Sequence, residues 1–206
     1  MKIEEYLSTL PQSILSGEEI QIPPDSIREI FRFSDLGKND IFYHLGCGEG
    51  ASLSIARQEF NVKSAIGIDN SKKMIDNAKK NMEKDKISNV KIIEQDVLEA
   101  DLNDASVVLC WFMDPDIMEN MMEKFEKLRD GVKIITIWSP LPGCLPQKVD
   151  FPYIMNETPF VETDDLKEQL LAVFETECIG FVTAWEFAER YTKSIGRDNP
   201  QNDRFL

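Results

Sequence analysis

The sequence predicts an α/β fold: a doubly wound, mostly parallel sheet with helices on both faces. Three observations predict it. First, short apolar runs alternate with helically spaced segments five times between Ile41 and Trp138, the pattern of strands joined by crossover helices. Second, three glycines at alternate positions, Gly46, Gly48 and Gly50, follow the first run. Glycine lets a backbone take positive φ and approach a ligand with no Cβ in the way. Third, the next runs end in acids, Asp69 and Asp96. Open parallel sheets bind ligands beyond the C-terminal ends of their strands, where these residues fall.

Each element has its own justification. Gln21-Ile22-Pro23-Pro24 is extended, because a residue before proline avoids the α region. Before it, Ile3, Leu7 and Leu10 suggest a short helix ended by Pro11. After it, Ile27, Ile30 and Phe31 give an apolar stripe to about Phe33, with Asp25 or Ser26 expected as its cap. Strand one is Ile41 to Leu45, and Ser52 to Phe60 is the helix after the glycines. Strand two is Ser64 to Ile68. A helix from Ser71 carries Met74, Ile75, Ala78 and Met82 on one face. Strand three is Asn89 to Asp96, followed by a polar connection from Glu99 to Asp104. Strand four is Ser106 to Met113, Asp114-Pro115 opens a helix to about Leu128, and Val132 to Trp138 is strand five. Beyond Ser139 the prolines at 140, 142 and 146 mark a loop. Asp150 to Val161 is expected to form a last strand pair, and Asp164-Asp165 to cap a helix carrying Leu166, Leu170, Leu171 and Phe174. A further helical stripe runs from Phe181 to Ile195.

Composition bounds the function. The chain has 206 residues, with 37 Asp and Glu against 23 Lys and Arg, a net charge of −14. Such a surface repels phosphate backbones, which argues against nucleic acid as a partner. Either it only keeps the protein soluble, or it also favours cationic substrates such as lysine-rich protein segments. Cys47, Cys110, Cys144 and Cys178 form no close pair, so no zinc or redox motif is visible and no metal is expected. The start, Met-Lys-Ile-Glu-Glu-Tyr, lacks the apolar core of a signal peptide, and no apolar run is long enough to span a membrane. A cytoplasmic protein is the expectation.

The glycine turn alone fits several nucleotides. Gly46, Gly48 and Ala51 satisfy the G-x-G-x-x-G/A dinucleotide pattern, with Asp69 at the end of the next run. A dehydrogenase, however, needs a substrate domain beyond this sheet, and too little chain remains for one.

Leu45-Gly46-Cys47-Gly48-Glu49-Gly50, with Gly67-Ile68-Asp69 and Gln95-Asp96-Val97 after it, closely resembles the class I, seven-strand S-adenosylmethionine-dependent methyltransferases. The resemblance covers roughly residues 20 to 140. It implies a Rossmann-like sheet and S-adenosylmethionine as cofactor. It implies one methyltransferase domain over 1–206, with a helical lead-in (1–36), a cofactor-binding core (37–161) and a helical tail (162–206). By resemblance, Gly46, Cys47, Gly48 and Gly50 pass under the methionine end of the cofactor. Asp69 holds the ribose hydroxyls, which suits a carboxylate with two acceptor oxygens. Asp96 accepts from the adenine amino group, and the Val97 amide contacts the ring, with Ile68, Asn70 and Val97 flanking it. Asp69 and Asp96 could instead be a helix cap and a solvated strand-end acid, and Glu49 is expected to be exposed.

One position departs from the family. His44, the only histidine, stands where the family has an acid that orders the glycine loop and answers the cofactor's positive end. A neutral imidazole can hydrogen-bond but supplies no negative charge. A structural role is preferred, with a degenerate, non-catalytic cofactor binder as the alternative.

The segment Cys110-Trp111-Phe112-Met113-Asp114-Pro115 stands at the family's fourth motif. It lacks the Pro-Pro-aromatic run of nucleic-acid amino-methylating enzymes. With Ile22-Pro23-Pro24-Asp25-Ser26 ahead of the core, the chain looks more like the small archaeal-type protein-lysine methyltransferases. An amine acceptor is expected, a protein lysine among the options, or alternatively a small molecule. Trp111 and Phe112 are the candidates for lining the acceptor slot, with packing of the strand end into the core as the alternative. Asp114 would neutralise an incoming ammonium or cap the helix from Pro115. No residue stands out as a catalytic acid or base.

Overall fold

The computed structural model describes residues 21–112 and 115–174. The expected helices at Ile3–Leu10 and Phe181–Ile195, and Cys178 and Asp114, lie outside the described residues. In chain order the elements are α1 (Pro24–Phe33), β1 (Ile41–Leu45), α2 (Ala51–Gln58), β2 (Ser64–Asp69), α3 (Lys72–Lys84) and β3 (Val90–Glu94). A single 3-10 turn (Val97–Glu99) follows, then β4 (Val107–Cys110), α4 (Pro115–Phe125) and β5 (Lys133–Ile137). The last part holds β6 (Cys144–Leu145), β7 (Lys148–Asp150), β8 (Tyr153–Glu157), β9 (Val161–Glu162) and α5 (Leu166–Phe174).

Seven strands form one sheet in the order β3-β2-β1-β4-β5-β8-β7. The first five pair in parallel, and β8 and β7 add antiparallel. The winding direction reverses between β1 and β4. This is the switch point at which such sheets open a crevice for a ligand.

The parallel strands are buried on both faces, so they read in sequence as continuous apolar runs. Phe42, Val107, Leu109, Ile135 and Ile137 face one core, completed by Ile27, Ile30 and Phe31 of α1 and Leu53 and Ala56 of α2. Tyr43, Leu45, Ile66, Val108 and Ile134 face the other, completed by Met118, Met121, Met122 and Phe125 of α4. Phe31 anchors the first core, its ring edge-on to Phe42 at 4.9 Å and to Phe60 at 5.2 Å. Arg28 ties α1 to the end of α2 through a bidentate pair with Glu59, both N···O distances 2.8 Å.

Three expectations change. Helix α1 starts at Pro24 with no side-chain cap, and neither Asp25 nor Ser26 caps it. Proline at the first helical position needs no N–H partner there, and Asp25 instead pairs with Arg28. Strand β4 ends at Cys110, so Trp111 and Phe112 leave the sheet rather than belong to it. The last strand pair is β7 with β8, tightly joined around Phe151 and Pro152, while Val161 pairs separately with Leu145 in the β6–β9 ladder. Residues 140–146, expected as loop, therefore contain a short strand.

Candidate functional site

The glycine turn is built as its spacing requires. Gly46, Gly48 and Gly50 have φ of 78°, 52° and 81°, in the left-handed region that side chains disfavour. The backbone N–H groups of Gly46 and Cys47 both donate to the Ile68 carbonyl, at 2.8 and 3.0 Å. These bonds clamp the turn onto the end of β2. Nothing lies within 4 Å of the place a Gly46 Cβ would occupy, so the backbone there faces open space.

Asp69, the last residue of β2, joins two turns. Its Oδ2 accepts from the Gly48 N–H and its Oδ1 from the Ser71 N–H, each at 2.9 Å. It does not cap α3, because Ser71 does so by accepting from the Met74 N–H. Each carboxylate oxygen keeps a second lone pair, and the side chain is only half-buried. The Asp69 carbonyl accepts from the Gln95 N–H at 3.0 Å, which brings the ends of β2 and β3 together. Asp96 is exposed and its Oδ1 accepts from the Leu98 N–H at 2.9 Å, capping the 3-10 turn. Val97 packs partly against the second core, and Asn70 is exposed beside Asp69. The structure thus gathers Gly46–Gly48, Asp69, Asn70, Asp96 and Val97 at adjacent strand ends. A carboxylate that accepts from two N–H donors and still offers lone pairs fits a vicinal diol. An open glycine backbone beside it fits an extended polar chain. The residues present therefore fit S-adenosylmethionine.

Two turn residues point away. Cys47 is buried, and burial, then the nearby Asp69 charge, pushes its thiol up to about 12. Only its backbone belongs to the site. Glu49, expected to be exposed, is half-buried: its Oε1 accepts from Asn77 Nδ2 at 2.9 Å and its carbonyl from Asn81 Nδ2 at 3.2 Å.

His44 is 5% exposed, and burial lowers its pKa to about 4, so it is neutral. Its Nδ1 lies 2.6 Å from Ser52 Oγ in the first turn of α2. The imidazole therefore bridges β1 to α2 across the glycine turn through a side-chain hydroxyl.

The structure does not bring Trp111 and Phe112 together. Both are half-buried, but Trp111 packs against the α1–α2 core and Phe112 against the α4 core. Successive residues leaving a strand point to opposite faces.

Sequence reasoning missed Gln21, Ser52 and Trp138. The Gln21 carboxamide lies over Gly48, where it would overlap any Cβ, and its Oε1 accepts from the Glu49 N–H at 3.4 Å. No sequence signal places it there. A groove of about 420 Å³ beside the turn, lined by Gln21, Ile22, Glu49, Gly50, Asn81 and Met82, contains neither Asp69 nor Asp96. Trp138 follows β5 as Trp111 follows β4, and the strand-end rule applied to the fifth strand would have found it.

Residues 44–148, just over half of the sequence, match the ANTKMT methyltransferase domain. The chain belongs to this methyltransferase family. It is a class I S-adenosylmethionine-dependent methyltransferase. A protein-lysine N-methyltransferase of Saccharolobus islandicus is 29% identical over 132 residues, 63% of this chain and 81% of that protein. A carboxy-S-adenosyl-L-methionine synthase of Sulfurimonas denitrificans is 33% identical over 117 residues, 53% of this chain and 49% of that protein. The chain thus spans about half the length of that second relative. Among solved structures, an RNA methyltransferase of Salinibacter ruber in complex with S-adenosyl-L-homocysteine superposes with a TM-score of 0.65 at 22% identity. The match covers 71% of this methyltransferase and 99% of the other chain, and it shows a shared fold. Among the described residues, no helix is long and apolar enough to cross a membrane.

Proposed function

We propose that this methyltransferase acts on an amine, the side chain of a protein lysine. The observation that carries the reading is the similarity over four-fifths of a protein-lysine N-methyltransferase. The net charge of −14 supports it, because an acidic surface attracts lysine-rich segments and repels nucleic acid.

The chain's residues divide the work. Asp69 would hold the ribose hydroxyls, Asp96 and the Val97 amide would hold the adenine, and the backbone of Gly46, Cys47, Gly48 and Gly50 would hold the methionine end. Asp69 also holds the glycine turn through Gly48, so the ribose contact and the turn are set by one carboxylate. His44 orders the same turn through Ser52 and adds no charge. When bound, S-adenosylmethionine supplies a sulfonium methyl whose S–C bond breaks as a deprotonated amine's lone pair forms the N–C bond, leaving a neutral thioether, the ammonium's proton having gone to water. Alignment and water exclusion are then the protein's main contributions.

Calorimetry with S-adenosylmethionine and S-adenosylhomocysteine tests the cofactor site, where micromolar binding of both is expected. Tritium transfer from methyl-labelled S-adenosylmethionine into a lysate, followed by hydrolysis, tests the acceptor, and methylated lysine is expected. Label confined to small molecules or nucleic acid would overturn the lysine reading. Binding with no transfer to any fraction would favour a non-catalytic binder.

A further inference from the structure

We propose that Trp138 is an acceptor-binding residue that forms, with Trp111, a two-indole slot for the cationic amine at the ends of β4 and β5. The proposal rests on the amine reading above and names the group that recognises the amine.

The sheet register places the two indoles at the same end. In β1 and β4, Leu45 pairs with Cys110, so Trp111 leaves the sheet level with Gly46. In β4 and β5, Leu109 pairs with Ile135, so Trp111 and Trp138 emerge at the same end of adjacent parallel strands. The face is set by something other than the strand. Ile135 and Ile137 pack into the α1–α2 core, and Ile134 into the α4 core. Strand alternation would send residue 138 to the α4 side. Trp138 instead packs against the α1–α2 core, the side that Trp111 takes. Its backbone φ of 71° makes the difference. A left-handed residue with a bulky side chain is uncommon and persists only where its surroundings hold it.

The surroundings do hold it. The Trp138 N–H donates to the Pro152 carbonyl at 2.9 Å, and Thr136 Oγ1 donates to the Ser139 carbonyl at 2.6 Å. Phe151, in the turn between β7 and β8, sets its ring edge-on to the indole, at 5.0 Å and 81°. Both indoles remain half-buried rather than sealed in the core. The fold therefore holds a strained backbone that places a second indole on the face of the sheet that Trp111 takes, at the end of the strand next to it. Indole faces attract a cation through the ring quadrupole, and an ammonium or its methylated forms suit such a slot.

The test uses the full chain saturated with S-adenosylhomocysteine and tetramethylammonium chloride as the probe. The indole N–H signals of Trp111 and Trp138, assigned from Trp→Phe variants, are followed by NMR. Saturable shifts of both are expected with tetramethylammonium, and not with sodium chloride or the neutral isostere tert-butanol at equal concentration. Trp138→Gly suits the left-handed backbone and removes the ring. It should abolish the Trp111 shift and raise acceptor KM at least tenfold with S-adenosylhomocysteine affinity unchanged. Trp138→Phe should keep the Trp111 shift. Equal shifts with tert-butanol, no saturable shift, or a Trp138→Gly variant that binds as the wild type does would each overturn the slot. Labelled lysine with no tetramethylammonium binding defeats the slot alone, and tetramethylammonium binding with label outside amines defeats the amine reading alone.

Discussion

Asp69 is the residue on which most of the proposed cofactor site rests. Its two oxygens already accept from Gly48 and Ser71, and the ribose hydroxyls would add two charge-assisted bonds. At about 1.5 kcal/mol each, their loss corresponds to roughly 100-fold in affinity. Asp69→Ala is expected to weaken S-adenosylmethionine binding by about that factor or more in calorimetry; near-normal binding would remove the ribose role. His44 is the second decisive residue. Burial lowers its folded pKa to about 4, below the unfolded value of about 6.5, so the folded state prefers the neutral ring. Its stabilising contribution is complete above pH 6.5. It is lost as pH falls toward 4, because the unfolded chain takes up the proton first. The loss amounts to at most about 3 kcal/mol. Denaturant titrations from pH 7.5 to 4 should therefore fall less steeply for His44→Gln than for the wild type. Equal slopes would show that the imidazole is not held neutral. The place of Asp69 at the end of a strand was legible in the sequence, and its bonds to Gly48 and Ser71 were not. The role of His44 was only half legible, because its partner Ser52 comes from a different element and becomes a neighbour through the turn.

At the scale of elements, the glycine turn works because β2 and α2 lean on it. Gly67, in β2, shows how tightly. A Cβ there would stand 2.5 Å from Leu53 Cδ1 and 2.7 Å from Cys47 Sγ. Gly67→Ala must displace the buried Leu53 and Cys47 side chains, at a cost of about 1–3 kcal/mol. A matching fall in thermal midpoint with weaker S-adenosylmethionine binding is expected. A variant of wild-type stability would mean that the Leu53 and Cys47 side chains yield freely. The sequence marks Gly67 only as the residue before Ile68-Asp69; the need for glycine appears when α2 is packed. Element boundaries followed the same division. The periodicity of the runs placed β1 to β5 to within a few residues. Val161 was misassigned because a two-residue ladder such as β6–β9 leaves no periodic trace.

At the scale of the molecule, the C-terminal edge of the sheet has two halves. Asp96 and Asp69 follow or end β3 and β2 on one side of the glycine turn, and Trp111 and Trp138 follow β4 and β5 on the other. On the lysine reading the acidic surface would act on approach rather than contact, and salt screens such a field over about 10 Å at 0.1 M. The acceptor KM for a lysine-rich protein should rise several-fold between 50 and 300 mM sodium chloride, while that for S-adenosylmethionine stays flat. Equal salt dependence of the two would show that net charge has no part in acceptor capture.

The sequence alone determined the fold class, the methyltransferase family and the cofactor. Each of these depends on local order along the chain: alternating strand and helix signals, glycines at alternate positions, and acids at strand ends. Tertiary structure decided what depends on faces and neighbours. It sent Phe112 and Trp111 to opposite cores, tied Glu49 to α3, paired His44 with Ser52, and turned Trp138 to the side of Trp111. The reason is physical. Strand periodicity fixes where a side chain points only while the strand continues, and at strand ends, where the site lies, the neighbouring elements choose.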